Sequence, residues 1–336
     1  MAKAKSAFVC NECGADYAKW QGQCQACGAW NSLQEFKVSS SKTSARVAAT
    51  SDTRRQGYAG ATTGIQDLSE VDLGDVPRFS SGASEFDRVL GGGLVPGGVV
   101  LIGGHPGAGK STLLLQTMCW LAQQQSAMYV TGEESLQQVA MRAQRLGLPT
   151  KNLKMLSETN VESIMAVADQ VKPKVMVIDS IQVMHLDGIE SAPGSVSQVR
   201  ESAAVLTRFA KQTQTTVLLV GHVTKDGTLA GPKVLEHMVD CSVLLEGSED
   251  SRFRTLRGMK NRFGAVNELG VFAMLENGLR EVKNPSSIFL NRSKHPAAGS
   301  LVMVVWEGTR PLLVELQALV DDSAFGNPRR VTVGFD

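Results

Sequence analysis

The residues with the clearest chemical meaning are eight consecutive positions, Gly104–Ser111, which read G-H-P-G-A-G-K-S. They fit the pattern G-x-x-x-x-G-K-[ST], in which a glycine-rich loop wraps the phosphates of a nucleotide. The apolar run 98–103 precedes the loop, and a helical pattern that begins at Thr112 follows it. A strand before the loop and a helix after it are the context that this motif requires. The alternative, a glycine-rich turn that contains Lys-Ser by chance, is therefore disfavoured.

Each residue type in this loop has a physical reason. Glycines lack a Cβ atom, so backbone N–H groups can turn inward onto phosphate oxygens, and a helix start adds partial positive charge. Lys110 is expected to reach the β- and γ-phosphates of ATP, and the hydroxyl of Ser111 to bind Mg²⁺. The predicted nucleotide-binding residues are Gly104, His105, Pro106, Gly107, Ala108, Gly109, Lys110, Ser111 and Thr112.

Acidic residues follow two apolar runs that should end at the same edge of a sheet. Asp179 closes the run 175–178, where a carboxylate helps to hold the magnesium ion. Glu133 follows the run 127–131, at the tip of a strand that we expect beside the phosphate loop, where a general base would orient water on the γ-phosphate. Glu134 is an alternative base, because spacing alone does not separate the two glutamates. The competing structural roles are a strand-ending aspartate and acidic residues favoured in the first turn of a helix.

Two further stretches combine polar or charged groups with a position near a strand end. His222 follows the last apolar core strand, where it is predicted to sense the γ-phosphate and signal to the next loop, although single histidines more often serve structure. Residues 260–264 read K-N-R-F-G, a compact basic and aromatic cluster. The cations Lys260 and Arg262 have three interpretations: an exposed turn, phosphate contact with nucleic acid, or charge supplied across a subunit interface to the transition state.

Four of the six cysteines form two C-x-x-C pairs with ten residues between the pairs. This spacing is typical of a tetrahedral Cys₄ zinc site, and a redox motif or a disulfide pair is disfavoured in a cytosolic chain. The predicted zinc ligands are Cys10, Cys13, Cys24 and Cys27. Four aromatic side chains are expected to cover this small module: Tyr17, Trp20, Trp30 and Phe36. The other cysteines, Cys119 and Cys241, are interpreted as ordinary buried thiols.

Apolar strands alternate with helical patterns around these sites. The strand-like runs are 98–103, 127–131, 153–156, 175–178 and 216–220, and the helical runs are 113–124, 136–146, 161–171 and 196–212. Wholly apolar strands are typical of the buried middle of a parallel sheet, so the alternation predicts an α/β fold with helices on both faces. Three later runs, 241–245, 252–259 and 270–275, are expected to extend the sheet in antiparallel fashion, giving a mixed, mostly parallel sheet.

Length and composition set limits on the class of protein. A chain of 336 residues with 43% apolar residues supports more than one domain and a sizeable core. The net charge of +1 gives no global basic field, so nucleic-acid binding would depend on local patches. No apolar run reaches the length of a membrane span, and the first residues lack a secretory apolar core. We therefore predict a cytoplasmic protein without a membrane partner.

The cysteine pairs, the phosphate loop, Thr131–Ser135, Asp179 and the K-N-R-F-G run together resemble the RadA (Sms) family of bacterial DNA repair proteins. The K-N-R-F-G run is the most specific of these features, and the resemblance covers essentially the whole chain. It implies a RecA-like P-loop ATPase core preceded by a small Cys₄ zinc ribbon. It also implies a DNA-stimulated ATP hydrolase that drives branch migration in recombinational repair.

The same resemblance implies partners and an assembly. The family forms a hexameric ring on single-stranded and branched DNA, works with a recombinase such as RecA, and binds ATP between neighbouring subunits. Lys260 and Arg262 would then act on the neighbour's nucleotide or on DNA. Residues 185–195 and the loop after His222 would face the DNA channel.

The chain is expected to have four parts: a zinc-finger module (1–36), a flexible Ser/Thr/Ala-rich linker (37–63), the RecA-like ATPase domain (64–285) and residues 286–336. The last part resembles only the start of the family's Lon-protease-like domain, so we expect a truncated domain without protease activity. The alternative functions are a RecA-like ATPase switch and a non-motor DNA-binding adaptor. The zinc module and Lys260–Gly264 favour DNA over a switch, and Glu133 with Asp179 argues against a pure adaptor.

Overall fold

The computed structural model describes residues 5–10, 16–17, 19–25, 28–38, 67, 77–222, 234–247, 251–290, 298–321 and 330–333. The chain divides into two compact units, Met1–Val282 and Lys283–Asp336. Nearly all of the predicted linker, from residue 39 onward, lies outside the described residues. The four-part division of the chain remains a prediction.

The N-terminal module contains a small antiparallel sheet. Its strands are β1 (Lys5–Cys10), β2 (Asp16–Tyr17) and β3 (Leu33–Val38), in the spatial order β2-β1-β3. Cys10, Cys24 and Leu33 are buried together, and Phe8 and Tyr17 pack against them. Two of the four predicted ligand cysteines are thus the centre of this core.

The predicted aromatic cover of this module is wrong for both tryptophans. Tyr17 packs on the core, but Trp20 is 55% exposed and Trp30 is 72% exposed. The cysteine and leucine side chains fill the small interior, which leaves both indoles at the surface. Phe36 lies on β3, and its side chain is outside the described part of the structure.

A nine-stranded sheet is the centre of the larger unit, counted over the described residues. Its strands are β4 (Val99–Gly104), β5 (Ala127–Thr131), β6 (Lys154–Ser157), β7 (Val175–Asp179), β8 (Thr216–Val220), β9 (Cys241–Glu246), β10 (Phe253–Asn261), β11 (Leu269–Leu275) and β12 (Gly278–Glu281). The spatial order is β12-β11-β10-β9-β4-β8-β7-β5-β6. The six strands from β9 to β6 are parallel, and β10, β11 and β12 are antiparallel. The predicted α/β fold with a mixed, mostly parallel sheet is confirmed.

The direction predicted for one strand is wrong. The run 241–245 was grouped with the antiparallel extension, but β9 pairs in parallel with β4, with Val100 opposite Cys241 and Gly104 opposite Leu245. The antiparallel part of the sheet begins one strand later, at β10. Because β9 runs parallel to β4, the chain has returned to the amino edge of the sheet where β9 begins.

Helices cover both faces of the sheet, as predicted. They are α1 (Ser84–Val89), α2 (Lys110–Leu121), α3 (Leu136–Arg145), α4 (Val161–Val171), α5 (Val196–Thr213) and α6 (Val234–Met238). Ile102 of β4 packs in one apolar cluster with Leu114 of α2. Its neighbour Leu101 packs in the other cluster with Ile164 of α4 and Leu206 of α5. Alternate strand residues therefore bury apolar surface on both faces, which fixes the strand ends in space.

Side-chain caps define where the helices begin at the carboxyl edge of the parallel strands. Ser135 and Gln138 form a reciprocal capping box at the start of α3, immediately after Glu133 and Glu134. Ser195 accepts a hydrogen bond from the backbone of Gln198 in the same way at the start of α5. Such caps stabilise a helix start by about 1 kcal/mol. They hold the loops of this edge at fixed positions.

None of the described helices combines the length and hydropathy needed to cross a membrane.

The smaller unit contains α7 (Ser286–Phe289) and a hairpin of β13 (Ser300–Glu307) and β14 (Arg310–Gln317). The backbone N–H of Leu313 donates to Ser286 Oγ at 3.0 Å, which ties the hairpin to α7. Leu301 is 64% exposed and Trp306 is 66% exposed. The Lon-protease-like origin of these residues remains a prediction.

Candidate functional site

The predicted phosphate loop connects β4 to α2 at the carboxyl edge of the parallel strands, and Gly109 is the N-cap of α2. Two of its glycines are required by the backbone. A Cβ atom on Gly104 would lie 2.5 Å from the carbonyl oxygen of Leu245, and Gly109 has a φ of +107°. Residues 105–107 are exposed at the tip of the loop. A glycine-rich loop that opens a twelve-residue helix is suited to phosphate, because N–H groups and the helix dipole point toward it.

Lys110 is held inside the curve of this loop. Its Nζ atom donates to the carbonyl oxygens of Gly104 at 2.7 Å and His105 at 3.0 Å, and the residue is only 4% exposed. Burial lowers the pKa of the Lys110 amine, whereas the nearby carboxylates of Asp179 and Glu133 raise it. The amine is therefore positioned where a phosphate bound by the loop would contact it.

Asp179 is buried at the end of β7. The hydroxyl of Tyr129 donates to its Oδ2 atom at 2.5 Å, and burial together with Asp179 raises the pKa of that tyrosine well above its usual value. The peptide bond between Asp179 and Ser180 is cis. Ser111, in the first turn of α2, is the second predicted magnesium ligand. A hydroxyl and a carboxylate at one edge of the sheet are the hard oxygen donors that Mg²⁺ prefers, so these residues fit the ion.

The structure separates the two candidate glutamates. The Oε1 atom of Glu133 accepts a hydrogen bond from the hydroxyl of Ser180 and lies 3.3 Å from Nε2 of His222. Glu134 instead forms an ion pair with Arg142 on α3. The carboxylate of Glu133 is therefore placed toward Lys110, and that of Glu134 toward the helix that follows it.

The expected neighbourhood of Glu133 needs correction. The tip of β5 was expected beside the phosphate loop, but β8 and β7 lie between β4 and β5 in the sheet. Glu133 nevertheless lies close enough to Lys110 for each to shift the pKa of the other. The loop after β5 therefore reaches back over the end of β7, where Ser180 hydrogen-bonds the Glu133 carboxylate.

The loop predicted to face DNA is anchored by a glutamine that the sequence did not single out. Gln198 is only 2% exposed, and its amide nitrogen donates to the carbonyl oxygens of Leu186, Ile189 and Ser191 at 3.0–3.3 Å. Its side-chain oxygen accepts from the backbone N–H of Leu186 at 2.9 Å. Gln198 therefore sets the path of this loop. Residues 223–230, which contain the loop after His222, lie outside the described residues.

Lys260 and Arg262 contact the end of α6 and the residues after it. Lys260 Nζ donates to the backbone oxygens of Glu236 and of Val239, the latter at 2.8 Å. Arg262 Nη1 lies 3.5 Å from Oδ1 of Asp240. The Arg262 side chain is 55% exposed and this ion pair is long, so the side chain can reach a partner outside the chain.

The structure does not bring Lys260 and Arg262 to the phosphate loop of the same chain. Asn261, between them, pairs with Cys241, and Cys241 pairs with Val100 near the start of β4. The phosphate loop begins at Gly104, at the other end of this strand, about 13 Å further along. The two cations and Lys110 therefore lie at opposite edges of the sheet.

A cavity of about 630 Å³ opens beside Thr112, the last predicted nucleotide-binding residue. It is lined by Thr112, Arg145, Leu146 and residues 274–278. These last residues join β11 to β12, a hairpin whose second strand had no signal in the sequence because it reads G-L-R-E, with a single apolar residue. The cavity therefore lies next to the phosphate loop, between α2 and the β11–β12 hairpin.

The predicted zinc site is described in part. Cys10 and Cys24 lie in one buried cluster, and Cys13 and Cys27 fall outside the described residues. Cys10 Sγ lies 3.1 Å from Ser32 Oγ, and Cys24 Sγ lies 3.3 Å from the Tyr17 hydroxyl. Buried sulfurs with hydroxyl neighbours fit a thiolate metal site, because the hydroxyls can hydrogen-bond to the ligand sulfurs.

We expect purified, reduced protein to contain about one zinc ion per chain, because four thiolates complete one tetrahedral site. Replacing Cys10 or Cys24 with serine should lower the zinc content by most of that amount, as measured by elemental analysis. Cys119→Ala is the matched control, since Cys119 is buried in α2 and burial raises the pKa of its thiol to about 11. Wild-type protein without metal, or equal zinc in Cys24→Ser and wild type, would contradict the assignment.

Two known protein families match the larger unit, one over its nine-stranded sheet domain and one over its N-terminal module. Residues 75–228 match the family described as an AAA domain. Residues 8–35 match the family described as a rubredoxin metal-binding domain. These matches cover the phosphate loop, Glu133, Asp179 and the four cysteines.

Curated proteins resemble the whole chain. It is 67% identical to the DNA repair protein RadA of Salmonella typhimurium, and the alignment covers all of this chain and 73% of that protein. The identities to the proteins of the same name from Pseudomonas aeruginosa and Bacillus subtilis are 59% and 47%, over all of this chain and 72% of each relative. The fold resembles the crystal structure of a KaiC-like protein from Pyrococcus horikoshii, with a TM-score of 0.53 and 21% identity over 62% of this chain and 99% of that one.

Proposed function

Because this chain belongs to the RadA family of DNA repair proteins, we propose that it is a DNA-dependent ATPase that drives branch migration and the processing of recombination intermediates on single-stranded DNA. The chain is an ATP hydrolase with a RecA-like core. One observation supports the hydrolytic site most strongly: two loop carbonyls hold the buried amine of Lys110, and Asp179 and Glu133 lie close enough to it to oppose the lowering of its pKa by burial. A phosphate-binding lysine, a metal-binding carboxylate and a base therefore converge at one edge of the sheet.

The residues of this edge have complementary roles in hydrolysis. Loop N–H groups and Lys110 would hold the β- and γ-phosphates of ATP, and Ser111 and Asp179 would hold the magnesium ion. The ion, when bound, offsets the negative charge of the phosphates. Glu133 orients the attacking water and accepts its proton.

The electrostatics of Glu133 keep its carboxyl ionised. The hydrogen bond with His222 lowers the pKa of the Glu133 carboxyl, the hydrogen bond from Ser180 lowers it further, and burial opposes both. A carboxyl with a pKa below its usual value is ionised at neutral pH. It can therefore accept a proton without first losing one.

DNA and a neighbouring subunit complete the proposal. Residues 185–195 and the loop after His222 follow β7 and β8, so both begin at the edge that holds the phosphates. Contact with DNA at these loops would shift the positions of Ser180 and His222, which both contact Glu133. Lys260 and Arg262 lie at the opposite edge, where they serve a neighbour's nucleotide or DNA. In this view the protein acts in the cytoplasm as a homo-oligomer, a hexameric ring where the C-terminal domain is complete, together with a recombinase.

Exchanging Glu133 for glutamine is expected to lower the ATP turnover number by about a hundredfold or more, because the amide cannot accept the proton of the attacking water. Glu134→Gln is the matched control: its carboxylate is paired with Arg142, so turnover should stay within about twofold of wild type. Phosphate release measured with saturating ATP and Mg²⁺ distinguishes the variants. Undiminished hydrolysis by Glu133→Gln would favour a nucleotide-binding adaptor, and a larger loss in Glu134→Gln would assign the base to Glu134.

A further inference from the structure

We propose that Ser180 is a positioning residue that aims the Glu133 carboxylate at the attacking water, an inference that rests on the proposed role of Glu133 in hydrolysis. Ser180 is fully buried, and its hydroxyl donates to Oε1 of Glu133. Nε2 of His222 lies 3.3 Å from the same oxygen. One carboxylate oxygen is thus held by two groups, which leaves the direction of the second oxygen fixed.

The sheet order explains how Ser180 and His222 both reach this carboxylate. Glu133, Ser180 and His222 follow β5, β7 and β8, which are consecutive neighbours in the sheet. Ser180 follows the middle strand and is completely buried, whereas 31% of the His222 side chain is exposed. The Glu133 side chain is itself 39% exposed, so it needs an anchor to keep one rotamer. The buried hydroxyl is that anchor.

The surroundings of Ser180 show that its hydroxyl is not simply filling space. A buried hydroxyl without a partner costs free energy, and within the described residues the hydroxyl of Ser180 has Glu133 as its side-chain partner. Ser202 offers a contrast in the same domain. It is equally buried, and within the described part of the chain its hydroxyl has no hydrogen-bond partner.

Ser180 also begins the segment that leads to residues 185–195. It is followed directly by a short 3₁₀ helix, Ile181–Val183, and then by the loop that Gln198 anchors. A displacement of this segment would move Ser180 and turn the Glu133 carboxylate. Contact at the loop can therefore change the rate of hydrolysis through a single hydrogen bond.

The experiment compares Ser180→Ala with Ser202→Ala in the full chain. We expect Ser180→Ala to lower the turnover number for ATP by roughly tenfold, with a KM for ATP within twofold of wild type, because misaiming the base affects the reaction and not the binding of ATP. Ser180→Cys, with a weak donor of similar size, should fall between wild type and Ser180→Ala. Ser202→Ala should match wild type. Thermal unfolding of each variant confirms that it is folded.

The decisive comparison repeats Ser180→Ala in the Glu133→Gln background. If Ser180 acts through Glu133, the double variant should be no slower than Glu133→Gln alone, because the two losses share one cause. Unchanged turnover in Ser180→Ala, a loss that multiplies with that of Glu133→Gln, or a change confined to KM would overturn the role of Ser180 while leaving the proposed function in place. Full activity in Glu133→Gln itself would overturn both proposals.

Discussion

Replacing Lys110 with alanine is expected to reduce ATP turnover by at least about a thousandfold, the upper range for loss of a preorganised charge in an active site. Lys110 is the buried cation inside the phosphate loop, and two loop carbonyls hold its amine in place. Alanine would leave the γ-phosphate without its positive partner while the transition state develops negative charge. Steady-state phosphate release at saturating ATP and Mg²⁺ measures this loss.

A second lysine provides a matched control for this substitution. Lys174 is exposed just before β7, at the amino edge of the same sheet. Lys174→Ala removes the same charge from the chain, so its turnover should stay within about twofold of wild type. If Lys110→Ala retains more than a tenth of wild-type turnover, the phosphate loop is not the site of hydrolysis.

Replacing Arg262 with alanine should have a comparable effect, about a thousandfold, if its guanidinium stabilises the transition state in a neighbouring subunit. Arg262 and Lys110 of one chain lie at opposite edges of the sheet, so Arg262 cannot serve its own nucleotide. In a ring with head-to-tail contacts two different surfaces of neighbouring subunits meet, so the amino edge of one sheet can lie against the carboxyl edge of the next. Arg262→Lys should recover little activity, because the ammonium lacks the planar fork of the guanidinium.

Mixing two inactive variants distinguishes action across an interface from contact with DNA. Arg262→Ala subunits keep the phosphate loop, and Lys110→Ala subunits keep the guanidinium. Random rings from an equal mixture should recover about a quarter of wild-type turnover, since half of the loops are intact and half of their neighbours supply Arg262. If Arg262 contacts DNA instead, the mixture should stay inactive, and Arg262→Ala should bind single-stranded DNA more weakly with a smaller dependence on salt.

Much of the fold was predictable because the core strands are apolar runs with little ambiguity. The run 127–131 and the helix 161–171 match β5 and α4 at both ends. Strand order was not predictable in the same way, since apolar composition shows that a strand is buried but not which strands lie beside it. The parallel direction of β9 and the two strands between β4 and β5 were missed for this reason.

The candidate site was predictable where a motif fixes the backbone and less so where contacts cross between strands. The phosphate loop carries its geometry in its glycines, and Asp179 is marked by the apolar strand before it. The choice between Glu133 and Glu134 depends on Ser180, His222 and Arg142, which come from three other elements. Gln198 had no signal at all, because a polar residue near a helix start is usually exposed.

The surface of the N-terminal module also depends on packing that the sequence does not predict. Aromatic residues near metal ligands were expected to cover the core, but the cysteines and Leu33 fill that space. Composition reveals that apolar side chains are present, and only the packing shows which of them are left at the surface. The exposure of Trp20 and Trp30 follows from the small size of the module rather than from any feature of their own sequence neighbourhood.

The central claim is that breakage of magnesium-bound ATP at this sheet edge is coupled to DNA, and one titration tests it most directly. ATP turnover of the wild-type chain is measured with saturating Mg²⁺ while single-stranded DNA is increased from none to saturation, and the mass of the assembly is determined in the same samples. We expect turnover to rise severalfold and then level off as the DNA sites fill. Equal turnover with and without DNA would contradict the coupling, and the absence of hydrolysis at every DNA concentration would contradict the site itself.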